Sequence, residues 1–362
     1  MPYADQTTVD NANTTLATGT PPQRKTLLTT NPILPPSGGI RFRTVDPNAA
    51  KFGDVVTGEY TKLKIGAASD SIAFIKLRPN EKNEIGAITF TIKTPAELPT
   101  NNDRAGWTAV WWLPWQSAHI VKIKIRSNVT DPVINCGNGV AAVNNPPIFF
   151  TAAINGCSVF AVGDTRSPSM YHGGVDGSMR ERGATELTEE AWRRLLGRTN
   201  PLRNVQGIGK KDYISEMKPQ AQWANPLQAD DKTDRTSFET SASRAFQTNL
   251  EQRGNLTNIN VSPWGMVFGL RDAANNWEMA LVKNCMLRYQ KIQITKRFLR
   301  SDKVTLLGET RTNRNYDKDG NMYGATVVQH PEIQNCHTLG YQVFFPGAGA
   351  AQMYDLNNIV VY

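Results

Sequence analysis

INGCSVFAVGDTRSPSMYHGG, residues 154–174, reads as two short apolar strands joined by turn formers. CSVFAVG has strand composition, GDTRSP is rich in residues that reverse the chain, and SMYHGG is long enough to return alongside the first strand. A turn centred between Asp164 and Thr165 sets Cys157 directly opposite His172 on one side of the sheet. Cross-strand partners have Cβ atoms about 5 Å apart. Two readings stay open at this point. A cysteine in an apolar strand is ordinarily packing, whereas a thiol beside an imidazole has the makings of a nucleophile with its base.

Outward from the hairpin, TKLKIGA, IAFIKLR, GAITFTIKT and HIVKIKIRS alternate apolar with polar or basic residues, the pattern of half-buried antiparallel strands. PPIFFTAAI, WGMVFGL, WEMALVKNCMLRYQ, KIQITKRF and YQVFFP add further strand candidates. GWTAVWWLPWQ, residues 106–116, holds four of the eight tryptophans, and core is the better reading than a sugar-stacking surface. Helical spacing occurs in LTEEAWRRLLGR behind a Thr188 N-cap, and in residues 237–254, where Gly254 supplies a stop. The expected class is α+β, a mixed β-sandwich core flanked by helices. Residues 1–40, rich in Thr, Asn and Pro, are expected to form a flexible arm, and residues 41–362 a single β-rich catalytic domain.

The 362 residues, 40% hydrophobic, can fill a core without covalent staples. Cysteines at 136, 157, 285 and 336 lack the close spacings of a disulfide framework or a zinc site and read as separate thiols. The formal charge of +8 comes from 40 basic residues scattered along the chain. No dense basic run interleaves with aromatics, so nucleic acid is not the expected partner. No membrane span is evident, and the first residues lack the basic and apolar regions of a signal peptide; any export is expected to follow a signal-peptide-independent route.

Other motifs carry less. CGNGVAA, residues 136–142, matches a dinucleotide glycine fingerprint, but VNNPP follows where the phosphate-binding helix should start. NYDKDGN, residues 315–321, has calcium-loop spacing yet Thr326 at the twelfth position, and an Asp-Gly hairpin turn explains it more simply. Cys285 has no histidine near it in sequence, and adjacent Cys336 and His337 would point to opposite faces of a strand. That leaves Cys157 and His172 as the candidate catalytic pair. Gly156 leaves room beside the sulfur, and the backbone N–H groups of Cys157 and Ser158 are candidate oxyanion donors.

Ile154, Asn155, Gly156 and Cys157, followed fifteen residues later by His172, resemble the signature of the Cys/His deamidase toxins of the cytotoxic necrotizing factor and dermonecrotic toxin type. Ile154 stands where that family commonly has Leu. The resemblance implies a deamidase-toxin-like fold and no cofactor. It also implies that the Cys157 thiolate attacks a glutamine side chain of a host protein, a Rho-family GTPase, and releases ammonia. In related toxins the histidine is oriented by a main-chain carbonyl, for which PPIFFTAAI is the place to look. The expected protein is thus a secreted virulence effector acting in the host cytosol. A transglutaminase or thiol protease using the same pair, or a non-catalytic β-sandwich binding module, are the alternatives.

Overall fold

The computed structural model describes residues 6–36, 64–67, 72–79, 87–115, 119–154, 157–174, 196, 205–209, 212–213, 242–298, 300–301, 303–307, 310–313, 326–329, 332–347 and 349–355. Two helices come first, α1 (Gln6–Thr18) and α2 (Pro21–Thr30), followed by β1 (Ile33–Leu34). The strands β2 (Lys64–Ala67), β3 (Ile72–Pro79), β4 (Ile88–Lys93) and β6 (His119–Lys124) fall on the alternating segments read above, and β5 (Thr108–Leu113) falls in the tryptophan-rich stretch, outside the strand candidates. Two short strands, β7 (Val133–Ile134) and β8 (Val143–Asn144), pair with each other. Next come β9 (Ile148–Thr151), β10 (Ser158–Val162), β11 (Ser169–Gly174) and β12 (Val205–Ile208). Helix α3 (Ala242–Gln252) leads into the long hairpin of β13 (Leu256–Arg271) and β14 (Trp277–Thr295). The remaining strands are β15 (Lys303–Leu306), β16 (Thr310–Asn313), β17 (Thr326–Gln329), β18 (Ile333–Phe345) and β19 (Gln352–Met353).

The described chain is thus mostly β-sheet with few helices, as an α+β reading requires. The larger sheet runs β1-β4-β3-β5-β9-β13-β14-β18-β19, with β15 added to β14. The smaller runs β12-β10-β11-β6-β2. Their facing surfaces share one apolar core, in which Phe74, Trp111, Phe149, Val267 and Leu281 meet Val121, Ile123, Val159, Ala161 and Met170. On its other face the larger sheet buries Ile75, Phe90, Trp112, Phe150 and Met266 with Val9, Leu16 and Leu28 from the helices. Alternate residues of β5 therefore enter opposite cores, which is why Trp111 and Trp112 are both buried. The core reading of the tryptophan cluster holds for these two.

Several expectations need correction. Residues 1–40 are not simply an arm: residues 6–34 form α1, α2 and β1, and Val9, Ala12, Leu16, Leu28 and Ile33 are buried. The apolar residues are few but sit on one helical face. The second helix starts at a cap in which the Thr20 N–H donates to Gln23 Oε1 (2.8 Å) and Pro21 opens the first turn. WEMALVKNCMLRYQ and the first five residues of KIQITKRF are one strand, β14, and YQVFF is the end of β18. Helix α3 lies within the expected 237–254, and Gly254 takes a left-handed φ of 70° just after it. The helix expected at LTEEAWRRLLGR lies outside the described residues except for Leu196, which is helical and buried. The NYDKDGN loop lies outside them altogether.

Candidate active site

The hairpin at 154–174 forms, but two residues out of the expected register. Val159 stands opposite His172 and Ser158 opposite Gly173, which places Cys157 across from Gly174. The cause is the turn. Asp164 opens it instead of lying at its centre: its carboxylate accepts the Arg166 N–H (2.6 Å) and its carbonyl accepts the Ser167 N–H (3.2 Å). The turn centre is therefore between Thr165 and Arg166. A slip of two preserves the side-chain face. Cys157 and His172 still point the same way, into the space between the sheets, but as diagonal neighbours, whose separation is about 7–8 Å at the backbone.

His172 is fully buried between Val159 on β10 and Val121 on β6. Its Nδ1 meets Thr151 Oγ1 of β9, in the facing sheet, at 2.7 Å. The same hydroxyl donates to the Leu113 carbonyl at 2.9 Å. A hydroxyl has one proton, so both contacts are satisfied only if His172 carries its proton on Nδ1 and donates it to Thr151. The tautomer assigned from this network leaves Nε2 as a lone pair, and Nε2 has no hydrogen-bond partner among the described residues. The imidazole and the Cys157 thiol are therefore not hydrogen-bonded through that nitrogen. Burial pushes the His172 pKa down to about 3, so the ring is neutral at physiological pH.

Cys157 is buried, 8% exposed, and its carbonyl accepts the Tyr213 hydroxyl at 2.8 Å. Its sulfur lies over Gly174. A Cβ at that position would come within 2.6 Å of Sγ, and within 2.6 Å of Trp115 Nε1. Sulfur and indole nitrogen thus border the same small space, kept open by the missing side chain. Trp115 Nε1 is a buried donor without an acceptor among the described residues. Ser158, the other candidate oxyanion donor, opens β10 and is buried.

No protein-family model matches the chain, and no curated protein matches it. The resemblance to the deamidase toxins therefore stands on the residue pattern from Ile154 to His172.

Sequence reasoning missed Thr151 and Trp115. Thr151 sits in the IFFT segment where an orienting carbonyl was expected, and it reaches a carbonyl, Leu113 O, at one remove. A threonine ending an apolar strand gave no signal of its own. The view of Cys285 as remote from any histidine is overturned: β14 and β18 set Cys285 directly opposite His337. This second pair is built for packing. The His337 ring meets Phe246 edge-on at 5.6 Å, and burial raises the Cys285 thiol pKa far above its ordinary value. Among the described residues no cluster of His, Cys, Asp or Glu suits a metal ion.

Proposed function

We propose that the protein deamidates a glutamine side chain of a host protein through Cys157 and His172, as a cytotoxic necrotizing factor-like effector. The observation that carries this reading is the polarised chain Leu113 C=O, Thr151 hydroxyl, His172 Nδ1–H, which holds the imidazole with its lone pair at Nε2, on the face it shares with Cys157. A base oriented by a third group is the general arrangement of activated nucleophiles.

In this scheme the Cys157 thiol closes the diagonal to His172 when substrate binds, since catalytic hydrogen bonds are often long before that. Nε2 takes the thiol proton as sulfur attacks the glutamine Cδ. The resulting oxyanion is met by the backbone N–H groups of Cys157 and Ser158 and by the Trp115 indole N–H. Nε2–H then protonates the departing nitrogen, and ammonia leaves. Water, activated by the same nitrogen, cleaves the thioester to glutamate and restores the thiol. Because a buried neutral imidazole does not favour a resting thiolate–imidazolium pair, proton transfer and attack are coupled in this scheme.

The substrate proposed by the resemblance is the switch glutamine of a Rho-family GTPase, whose loss holds the GTP-bound state. Action in the host cytosol after signal-peptide-independent export belongs to the same proposal. Total burial of His172 favours a second reading, a non-catalytic binding module in which the pair is core. Mass spectrometry of the GTPase separates them. A gain of about 1 Da at one glutamine, lost with Cys157→Ser and His172→Ala in folded protein, supports deamidation; an unmodified GTPase removes that substrate, and unfolding of both variants supports the core reading.

A further inference from the structure

The end of the long hairpin is built differently from the sandwich. Strand β14 outruns its other partners, and Ile292–Thr295 pair with β15 in a two-stranded ribbon. Ile292 stands opposite Leu306 and Ile294 opposite Val304, so four aliphatic side chains share one face. The other face carries Gln293 opposite Thr305 and Thr295 opposite Lys303. Ile294 is 43% and Val304 58% exposed, and Phe298, in the turn beyond, is 92% exposed. In sequence, residues 291–307 hold Lys291, Lys296, Arg297, Arg300 and Lys303 against the single acid Asp302.

From this arrangement we infer that the ribbon tip is a wedge that inserts into an anionic bilayer surface. A narrow apolar edge with an aromatic at its end, ringed by bases, matches the boundary between acyl chains and negative headgroups. A second copy of the chain would bring the same five bases against themselves, and a nucleic acid would leave the aliphatic face exposed to water. The wedge adds peripheral attachment to a protein in which no described helix is long and apolar enough to cross a membrane. It is independent of the chemistry assigned to Cys157.

Co-sedimentation of the full chain with phosphatidylcholine vesicles, with and without phosphatidylserine, tests it. Partition into the anionic vesicles is expected, weakening at high salt. Arg297→Glu with Arg300→Glu should reduce it about tenfold or more, since each base near such a surface contributes about a fivefold share of the attraction, and Phe298→Ser with Val304→Ser should reduce it comparably through the lost apolar burial. Circular dichroism checks that these exposed substitutions leave the fold intact. No partition, or partition unchanged in the folded variants, overturns the inference. So does a concentration-dependent dimer that Val304→Ser abolishes, or binding of RNA or an acidic protein by this tip in place of vesicles.

Discussion

Thr151→Val replaces the hydroxyl between His172 and Leu113 by a methyl of nearly the same size, so the expected effects come from hydrogen bonding and not from a cavity. The Leu113 carbonyl keeps the Ala152 N–H at 3.0 Å and is not orphaned. His172 Nδ1–H loses its partner inside a sealed core, and a buried unsatisfied donor costs about 1–3 kcal/mol. Moving the proton to Nε2 only transfers that cost, because Nε2 is also buried without a partner among the described residues, so the two tautomers become comparable in energy. The same move removes the lone pair that should accept the Cys157 proton. Urea unfolding should show a loss of about 1–3 kcal/mol. Deamidation should fall by at least tenfold, equivalent to about 1.4 kcal/mol of transition-state stabilisation. Imidazole nitrogen NMR should report Nδ1–H in the native protein and a shift towards Nε2–H in the variant, and Thr151→Ser should restore both. An Nε2–H tautomer in the native protein, or a folded Thr151→Val with undiminished activity, would refute the reasoning.

Gly174→Ala forces a methyl against Cys157 Sγ and Trp115 Nε1; it should cost about 1–3 kcal/mol as overpacking, and a misplacement of the sulfur of roughly 1 Å should lower activity on the order of a hundredfold. Gly269→Ala, whose added methyl meets the Met279 sulfur and not the thiol, is the control expected to lose stability alone. His172 has its pKa depressed in the folded state, so the unfolded chain binds the extra proton first. Unfolding free energy should therefore decline as pH falls from about 6.5 to about 3, by at most roughly 1.4 kcal/mol per unit, and His172→Gln should flatten that slope. An unchanged slope in the variant would contradict the buried neutral ring. Iodoacetamide should label Cys157 ahead of Cys285, whose thiol is held protonated by burial; mass spectrometry showing the reverse order would count against a reactive Cys157.

Period-two alternation made β3, β4 and β6 legible, and the hairpin of β10 and β11 was readable from its turn formers. Its register was not. Asp164 and Thr165 could both occupy the centre of the turn, and only the Arg166 N–H donated to the Asp164 carboxylate decides between the alternatives. Helix α1 was hidden by its Thr and Asn content, although Val9, Ala12 and Leu16 already lay at helical spacing. Strand β14 looked like two strands because polar Gln290 and Lys291 interrupt its apolar run. On the site, sequence pointed to Cys157 and His172 as sharing a face, which the slip of two preserves. Thr151 and Trp115 come from other strands and loops, so no local pattern could connect them to the hairpin. The pairing of Cys285 with His337 likewise depends on how β14 meets β18 across about fifty residues of chain.

The three strands β13, β14 and β18 run through two separate apolar clusters. Val282 belongs to the core under the N-terminal helices, and Cys285 to a cluster with Phe246 and Leu250 of α3. Between them the register of β14 against β18 shifts, at Lys283 and Asn284. An irregular ladder at the border of two cores is where cooperativity is weakest, so the α3 cluster can open as its own unit while the sandwich stays closed. Amide exchange along β14 should then change abruptly at that border, with residues 279–282 exchanging only through global unfolding and residues 285–289 at a faster rate set by the distal unit.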